Sequence, residues 1–394
     1  MIFEKFVRET HLLLNNYFYR VVKAFNDGNI DTGDSQMMYP KIMMVTNCQG
    51  YYIIELLGIT EIFSGLSIKR CKADSVYRYF GQFDADIPKT PLFTMQGGVS
   101  SFRHLCLGQD SNINEVTQRF PVVKLYKSGL INEDSDGVFL FKDNFECFWI
   151  QNSSLINKKD NLYRCKHILF LVIFKNSVTK NFLVETYQNI FINEDLKGLH
   201  NVKNERIKNM ITVGQLQNMY LCPKVHETAI GEFIQFHPEI VKKAFNTNHF
   251  EYEPYLKWQE HDGTCEDVAI NPDLMIRRSD GYFDIYDLKT AGLNKKSITK
   301  AKRARRRFID YVQEGIAQLA NYEEYFTYKL NADYARIKYQ IEVKNPKLVL
   351  IVGSWDNCVM EDVVQACRAY PNIEIIDYDT FCHLFLSAGE EVVK

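Results

Sequence analysis

The sequence of 394 residues lacks long apolar runs: the longest, Ile168 to Phe174, stops at seven residues. A helix that spans a bilayer needs ~20, so no membrane partner is expected. Glu4, Arg8 and Glu9 interrupt the opening stretch before an apolar leader segment can develop, which makes the cytoplasm the expected location. An excess of charge is also missing. The 47 Lys and Arg against 49 Asp and Glu leave a net charge of −2, which excludes a highly basic nucleic-acid-coating protein. Ten cysteines stand singly, with no CxxC pair and no Cys/His cluster at zinc spacing, and they read as small apolar residues in a reducing compartment. Neither a GxxxxGK[ST] phosphate loop nor a Ser/His/Asp or Cys/His arrangement is present. What the chain does have is apolar bulk. At 46% hydrophobic and 13% aromatic it can fill two or three cores of ordinary domain size, and global disorder is excluded.

Residues 1–205 read as a mixed α/β, strand-rich N-terminal region that reveals no chemistry of its own. Leu12, Leu13, Leu14, Phe18, Val21 and Val22 form a helical stripe that ends at Asp27-Gly28-Asn29. Tyr51–Leu57, Val138–Phe141, Phe148–Gln151 and Ile168–Phe174 read as strands, and Lys175–Lys180 is expected to turn the last of them back into Asn181–Thr186 as a hairpin. Residues 206–221 are helix-compatible and expected to link this region to a second one, 222–394. There the expected order is a helix over His226–Phe245 interrupted by Pro238, strands at Phe250–Trp258, Leu274–Arg278 and Tyr282–Lys289, a long helix from about Ile298 to Tyr328, a strand Lys347–Val352, a helix Met360–Ala369 and a strand Ile373–Asp377. Asp280-Gly281 marks a tight turn between the second and third strands.

Chemistry concentrates around that turn. Side chains two apart on a strand share a face, so Asp287 and Lys289 project together. A tight hairpin brings Asp273 beside them, and two carboxylates can then hold a hard cation such as Mg²⁺, with the Leu288 carbonyl as a further oxygen. From Glu251 to Asp287 there are ten acidic residues against three basic ones, which suits a cation site. Phosphodiester hydrolysis needs this set: a metal to polarise the phosphoryl oxygen, an activated water, and positive charge near the transition state. Lys289 would orient or deprotonate the water, or stabilise the developing charge. The alternative is a pair of hairpin-end charges in a salt bridge.

Pro272-Asp273 followed, after thirteen intervening residues, by Asp287-Leu288-Lys289 resembles the PD-(D/E)xK nuclease signature. The resemblance implies an additional acidic ligand at Glu227, at the start of the preceding helix, and a supporting Gln318 in the Gln318-Leu319-Ala320-Asn321-Tyr322 element. Together with the stretch His226–Val241 and Pro346–Gly353, these features are similar to the Shedu-type nuclease domain of bacterial anti-phage defence, over about residues 222–386. The chain departs from that pattern with Asp287 where Glu is usual, and with Thr290-Ala291 where a basic residue and proline often follow the lysine. What the resemblance implies is a restriction-endonuclease-like α/β core and a Mg²⁺-dependent nuclease, with Mn²⁺ able to substitute. It further implies double-stranded phage DNA as substrate, a homo-oligomer with a tetramer favoured, and control by the N-terminal region. Rival readings are a repair or junction nuclease on the same fold, or a DNA-binding scaffold without catalysis.

Between Lys295 and Arg307 eight of thirteen residues are basic: Lys295, Lys296, Lys300, Lys302, Arg303, Arg305, Arg306 and Arg307. Read as a helix, the segment places Lys296, Lys300, Arg303 and Arg307 on one face, positioned to hold DNA phosphates.

Overall fold

Leu14, Tyr17, Phe18 and Val21 recur at helical spacing, and all four are buried on one face of the helix Phe3–Asn26. That helix ends at Asp27, whose N–H reaches the Lys23 carbonyl. The structure, a computed structural model, describes residues 1–76, 79, 105–107, 113–125, 146–159, 162–192, 196–222, 225–263, 267–292, 295–301 and 305–388. The strand expected at Val138–Phe141, and Lys302 and Arg303, lie outside the described residues. The chain divides into two units, Met1–Lys224 and Val225–Lys394, both mixed α/β.

In the first unit, strands β1 (Gln36–Met38) and β8 (His200–Val202) pair with each other, while β2 (Ile42–Cys48), β3 (Tyr51–Leu57), β4 (Ser67–Lys72), β5 (Leu105–Leu107), β6 (Cys147–Lys159) and β7 (Leu162–Lys175) form a six-stranded sheet ordered β4-β2-β3-β7-β6-β5. Ile168–Phe174 of β7 is fully buried along its length, as a central strand covered on both faces requires. After β7 the chain enters a helix, Lys180–Ile192, and not the expected hairpin strand. Leu183, Tyr187 and Ile190 repeat at helical spacing and are buried, and the Phe182 N–H donates to Thr179 Oγ1 at 3.2 Å, an N-terminal cap. The segment expected as a link is the helix Glu205–Tyr220, in which every residue from Ile211 to Tyr220 is buried within the first unit. Its Asn218 amide donates to Glu55 Oε1 at 3.3 Å, and its Gln217 amide donates to the Arg119 carbonyl at 2.6 Å.

The second unit opens with helices Glu227–Phe236 and Pro238–Ala244, the proline standing at the first position of the second, where its missing N–H costs nothing. Strands β9 (Phe250–Tyr252), β12 (Leu274–Arg277), β13 (Phe283–Leu288), β16 (Leu348–Ile351) and β17 (Ile373–Ile376) form a five-stranded sheet ordered β17-β16-β13-β12-β9. β13, β16 and β17 run parallel, while β12 is antiparallel to both its neighbours. Short β10 (Leu256–Lys257) and β11 (Ala269–Ile270) pair apart from it. The β12–β13 turn closes as the sequence indicates: Gly281 sits at φ +91°, and the Arg278 N–H donates to the Tyr282 carbonyl at 2.8 Å. Arg278 also binds Asp284 at 3.0 Å, and Asp284 accepts the Lys347 N–H at 2.8 Å, fixing the hairpin to the chain entering β16.

The long helix expected from Ile298 does not form. Residues 298–309 carry a short antiparallel pair, β14 (Thr299–Lys300) and β15 (Arg307–Phe308), and the helix begins at Asp310 and runs to Tyr325. Like charges three and four apart on a helix repel, whereas Ile298 and Phe308 give the extended form two buried anchors. On the helix Asp310–Tyr325, Val312, Ile316 and Leu319 are buried against the sheet core. Gly315 lets the helix approach: a Cβ there would stand 2.8 Å from Leu350 Cδ1. Leu350 is itself fully buried, so Gly315→Val should overpack this contact and cost about 1–3 kcal/mol, measured by urea unfolding. Stability equal to the wild type would show that the helix can lift away freely.

Candidate active site

Antiparallel pairing sets Leu274 opposite Tyr286, so one step further out Asp273 stands opposite Asp287. Both carboxyls lie at the end of the sheet from which Lys289 emerges, its N–H held by the Ile351 carbonyl at 2.9 Å. Asp273 Oδ2 accepts the Leu288 N–H at 2.5 Å. Leu288 thus meets the pair through its N–H. Asp287 is 1% exposed; its Oδ2 lies 2.7 Å from Lys289 Nζ, while Oδ1, also buried, meets no hydrogen-bond donor among the described residues.

Burial pushes the Asp273 carboxyl up to about 7, with the Asp287 charge adding to the rise. Burial likewise raises Asp287, to about 6, against the pull of the Lys289 ammonium. For Lys289 burial acts downward, but the carboxylates of Asp287, Glu227 and Asp273 outweigh it and hold the ammonium above its ordinary value. Lys289 is therefore a fixed positive charge at neutral pH.

The other residues expected at the site converge on this lysine. Glu227, in the first turn of its helix, places Oε2 3.9 Å from Lys289 Nζ. Gln318 Oε1 accepts from Lys289 Nζ at 2.9 Å. Because an ammonium only donates, this bond settles the amide orientation: the Gln318 Nε2 donates to the Tyr322 hydroxyl, which donates to the Asn271 carbonyl at 3.2 Å. The chain of donors thus returns to the segment that carries Asp273. Two residues that the sequence reading did not assign to the site join it, Tyr311 and Thr290. The Tyr311 hydroxyl donates to Glu227 Oε1 at 3.0 Å and lies 2.7 Å from Thr290 Oγ1, and the Thr290 N–H donates to Glu227 Oε1 at 3.3 Å. A usable signal was present, since Tyr311, Gln318 and Tyr322 recur at i, i+7 and i+11 and share one helix face. Burial pushes both phenols up, so each remains a protonated donor.

Among the described residues no three His, Cys, Asp or Glu side chains are grouped to hold a metal ion as they stand. The Lys289 ammonium is within ion-pair reach of both Asp287 and Glu227. Two adjacent carboxyls with raised pKa values and one orphaned buried oxygen nevertheless fit a divalent cation on Asp273 and Asp287, which would supply the missing positive charge.

The basic segment is divided in use. Lys300 pairs with Asp310, and Arg306 pairs with Asp362 at 3.0 Å, while Lys295, Lys296, Arg305 and Arg307 are exposed. In the β14–β15 pair Lys300 stands opposite Arg307, in place of the helical face expected.

A carboxyl raised on folding gives stability that is complete below its unfolded value, about 3.9, and lost as pH rises through the folded value, about 7 for Asp273. Without divalent cations, the calorimetric midpoint of the protein should therefore fall as pH rises from about 5 to 8. Asp273→Asn removes the charge and keeps an acceptor for the Leu288 N–H. It should flatten that fall and raise the midpoint by roughly 3 °C at pH 8. A variant that melts below the wild type at pH 8 would show that the two carboxylates do not oppose each other.

No curated protein matches the chain. Residues 224–382, the span that contains all of these carboxylates and cations, match the family described as Shedu protein SduA, C-terminal.

Proposed function

We propose that the second unit hydrolyses phosphodiester bonds of double-stranded DNA as a metal-dependent endonuclease of the PD-(D/E)xK type, with a restriction-endonuclease-like core. The observation that carries this reading is the opposition of Asp273 and Asp287 at the end of a buried hairpin, with an orphaned Asp287 oxygen and Lys289 on the same face. The family match implies a role in anti-phage defence, which supports phage DNA as the substrate.

Asp273 and Asp287 would hold a divalent cation, Mg²⁺ with Mn²⁺ as a substitute, which would supply Lewis-acid activation of the scissile phosphate and of the attacking water. Lys289 contributes charge. As an ammonium it would offset the negative charge developing on the phosphoryl oxygens. Gln318 and Tyr322 aim that ammonium through the chain of donors that ends on the Asn271 carbonyl. Lys295, Lys296, Arg305 and Arg307 offer positive charge for the flanking phosphates, a contact that adds affinity without reading sequence. The reading places the enzyme in the cytoplasm as a homo-oligomer, a tetramer favoured, with the first unit controlling cleavage.

Purified protein incubated with linear and closed-circular DNA should cut in Mg²⁺ and not in EDTA. Lys289→Ala should slow cutting by roughly 10²-fold or more while DNA binding persists. Cutting that survives EDTA, or that is untouched by the substitution, would remove the metal-nuclease reading.

A further inference from the structure

Glu227 is the weakly tethered member of the site. It stands on the first turn of a helix with its side chain 39% exposed, and its ion pair with Lys289, at 3.9 Å, lies at the outer limit of such contacts. A pair of that length and exposure contributes little to fixing a flexible glutamate. Its other oxygen, however, is held by two donors from two different elements. Glu227 Oε1 receives the Tyr311 hydroxyl at 3.0 Å and the Thr290 N–H at 3.3 Å.

The direction of these bonds follows from counting hydrogens. An ionised carboxylate only accepts, so the single phenolic hydrogen of Tyr311 goes to Glu227. The 2.7 Å contact between the Tyr311 and Thr290 hydroxyls must then be donated by Thr290. Thr290 acts twice on the same oxygen, directly through its N–H and indirectly through the phenol. It also directly follows Lys289, so the strand end that aims the lysine fixes the glutamate.

We propose that Thr290 and Tyr311 are positioning residues for Glu227: a directed relay, Thr290 to Tyr311 to Glu227, locks one carboxylate oxygen and leaves the other facing the cation site beside Lys289. This inference rests on the metal-nuclease reading and assigns a use to a threonine that stands where a basic residue is usual. Outer partners that orient a metal-binding carboxylate typically tune metal affinity by 10–100-fold.

The test is calorimetric titration of the full-length protein with Mn²⁺, which needs no cleavage. Tyr311→Phe and Thr290→Val should each weaken Mn²⁺ binding by roughly tenfold, while Thr290→Ser, which keeps the hydroxyl, should stay within about twofold of wild type. In a Glu227→Ala background, Tyr311→Phe should have no further effect, since the group it positions is gone. A packing role gives the opposite order, with the isosteric valine tolerated and serine not, and that result overturns the proposal. So does Tyr311→Phe with unchanged affinity where Glu227→Ala weakens it, an outcome that leaves the metal reading intact. Wild-type protein that binds no Mn²⁺ removes the metal reading and this inference with it.

Discussion

The register of one hairpin governs the site. Pairing Leu274 with Tyr286 places Asp273 directly across from Asp287, and side-chain direction alternates along a strand, so a slip of one residue would send the two carboxyls to opposite faces of the sheet. The turn at Ser279–Gly281 sets that register, and the ion pair of Arg278 with Asp284 keeps it from drifting. Forcing two carboxyls together away from water is unfavourable, as their raised pKa values show. Lys289, two positions on and on the same face, offsets part of that cost, and the Gln318–Tyr322 chain then constrains the lysine.

Much of this was legible in the sequence because it depends on short-range rules. The alternation of Asp287 and Lys289, the turn signal at Asp280-Gly281 and the proline that divides the first helix pair each act within a few residues. The geometry brings Asp273, Asp287 and Lys289 together, as their spacing suggested, and sets beside them Glu227 and Gln318, which the family resemblance had implied. The failures had a different cause. Lys180–Ile192 carries a helical apolar period and a threonine cap, and the turn residues before it drew attention from both. The basic stretch reads as a helix by propensity, but burial of Ile298 and Phe308 and repulsion along a charged helix favour the extended pair. Tyr311 and Thr290 contact Glu227 from positions 84 and 63 residues away in sequence; the helix face shared with Gln318 and Tyr322 pointed to Tyr311, whereas no local pattern marks Thr290.

The helix Asp310–Tyr325 shows how one face serves packing and chemistry together. Tyr311, Gln318 and Tyr322 lie along it, and Gly315, one turn after Tyr311, permits the close approach to Leu350 that brings their polar tips to the strand ends. A larger residue at Gly315 would move the donors of the site along with the helix.

The turn that joins β12 to β13 also shapes the order in which the site can assemble. Asp273 and Asp287 are separated by fourteen residues and meet when a single hairpin closes, whereas Glu227 must be brought back across sixty residues to reach Asp287. Loop-closure entropy rises with the logarithm of length, which makes the second closure costlier by about 1 kcal/mol before any contact repays it. The carboxylate pair is thus a local product of the chain, and the glutamate with its tyrosine is a product of tertiary docking. A folding intermediate that had formed only the hairpin would already hold two opposed acids and a lysine, without the group that completes them.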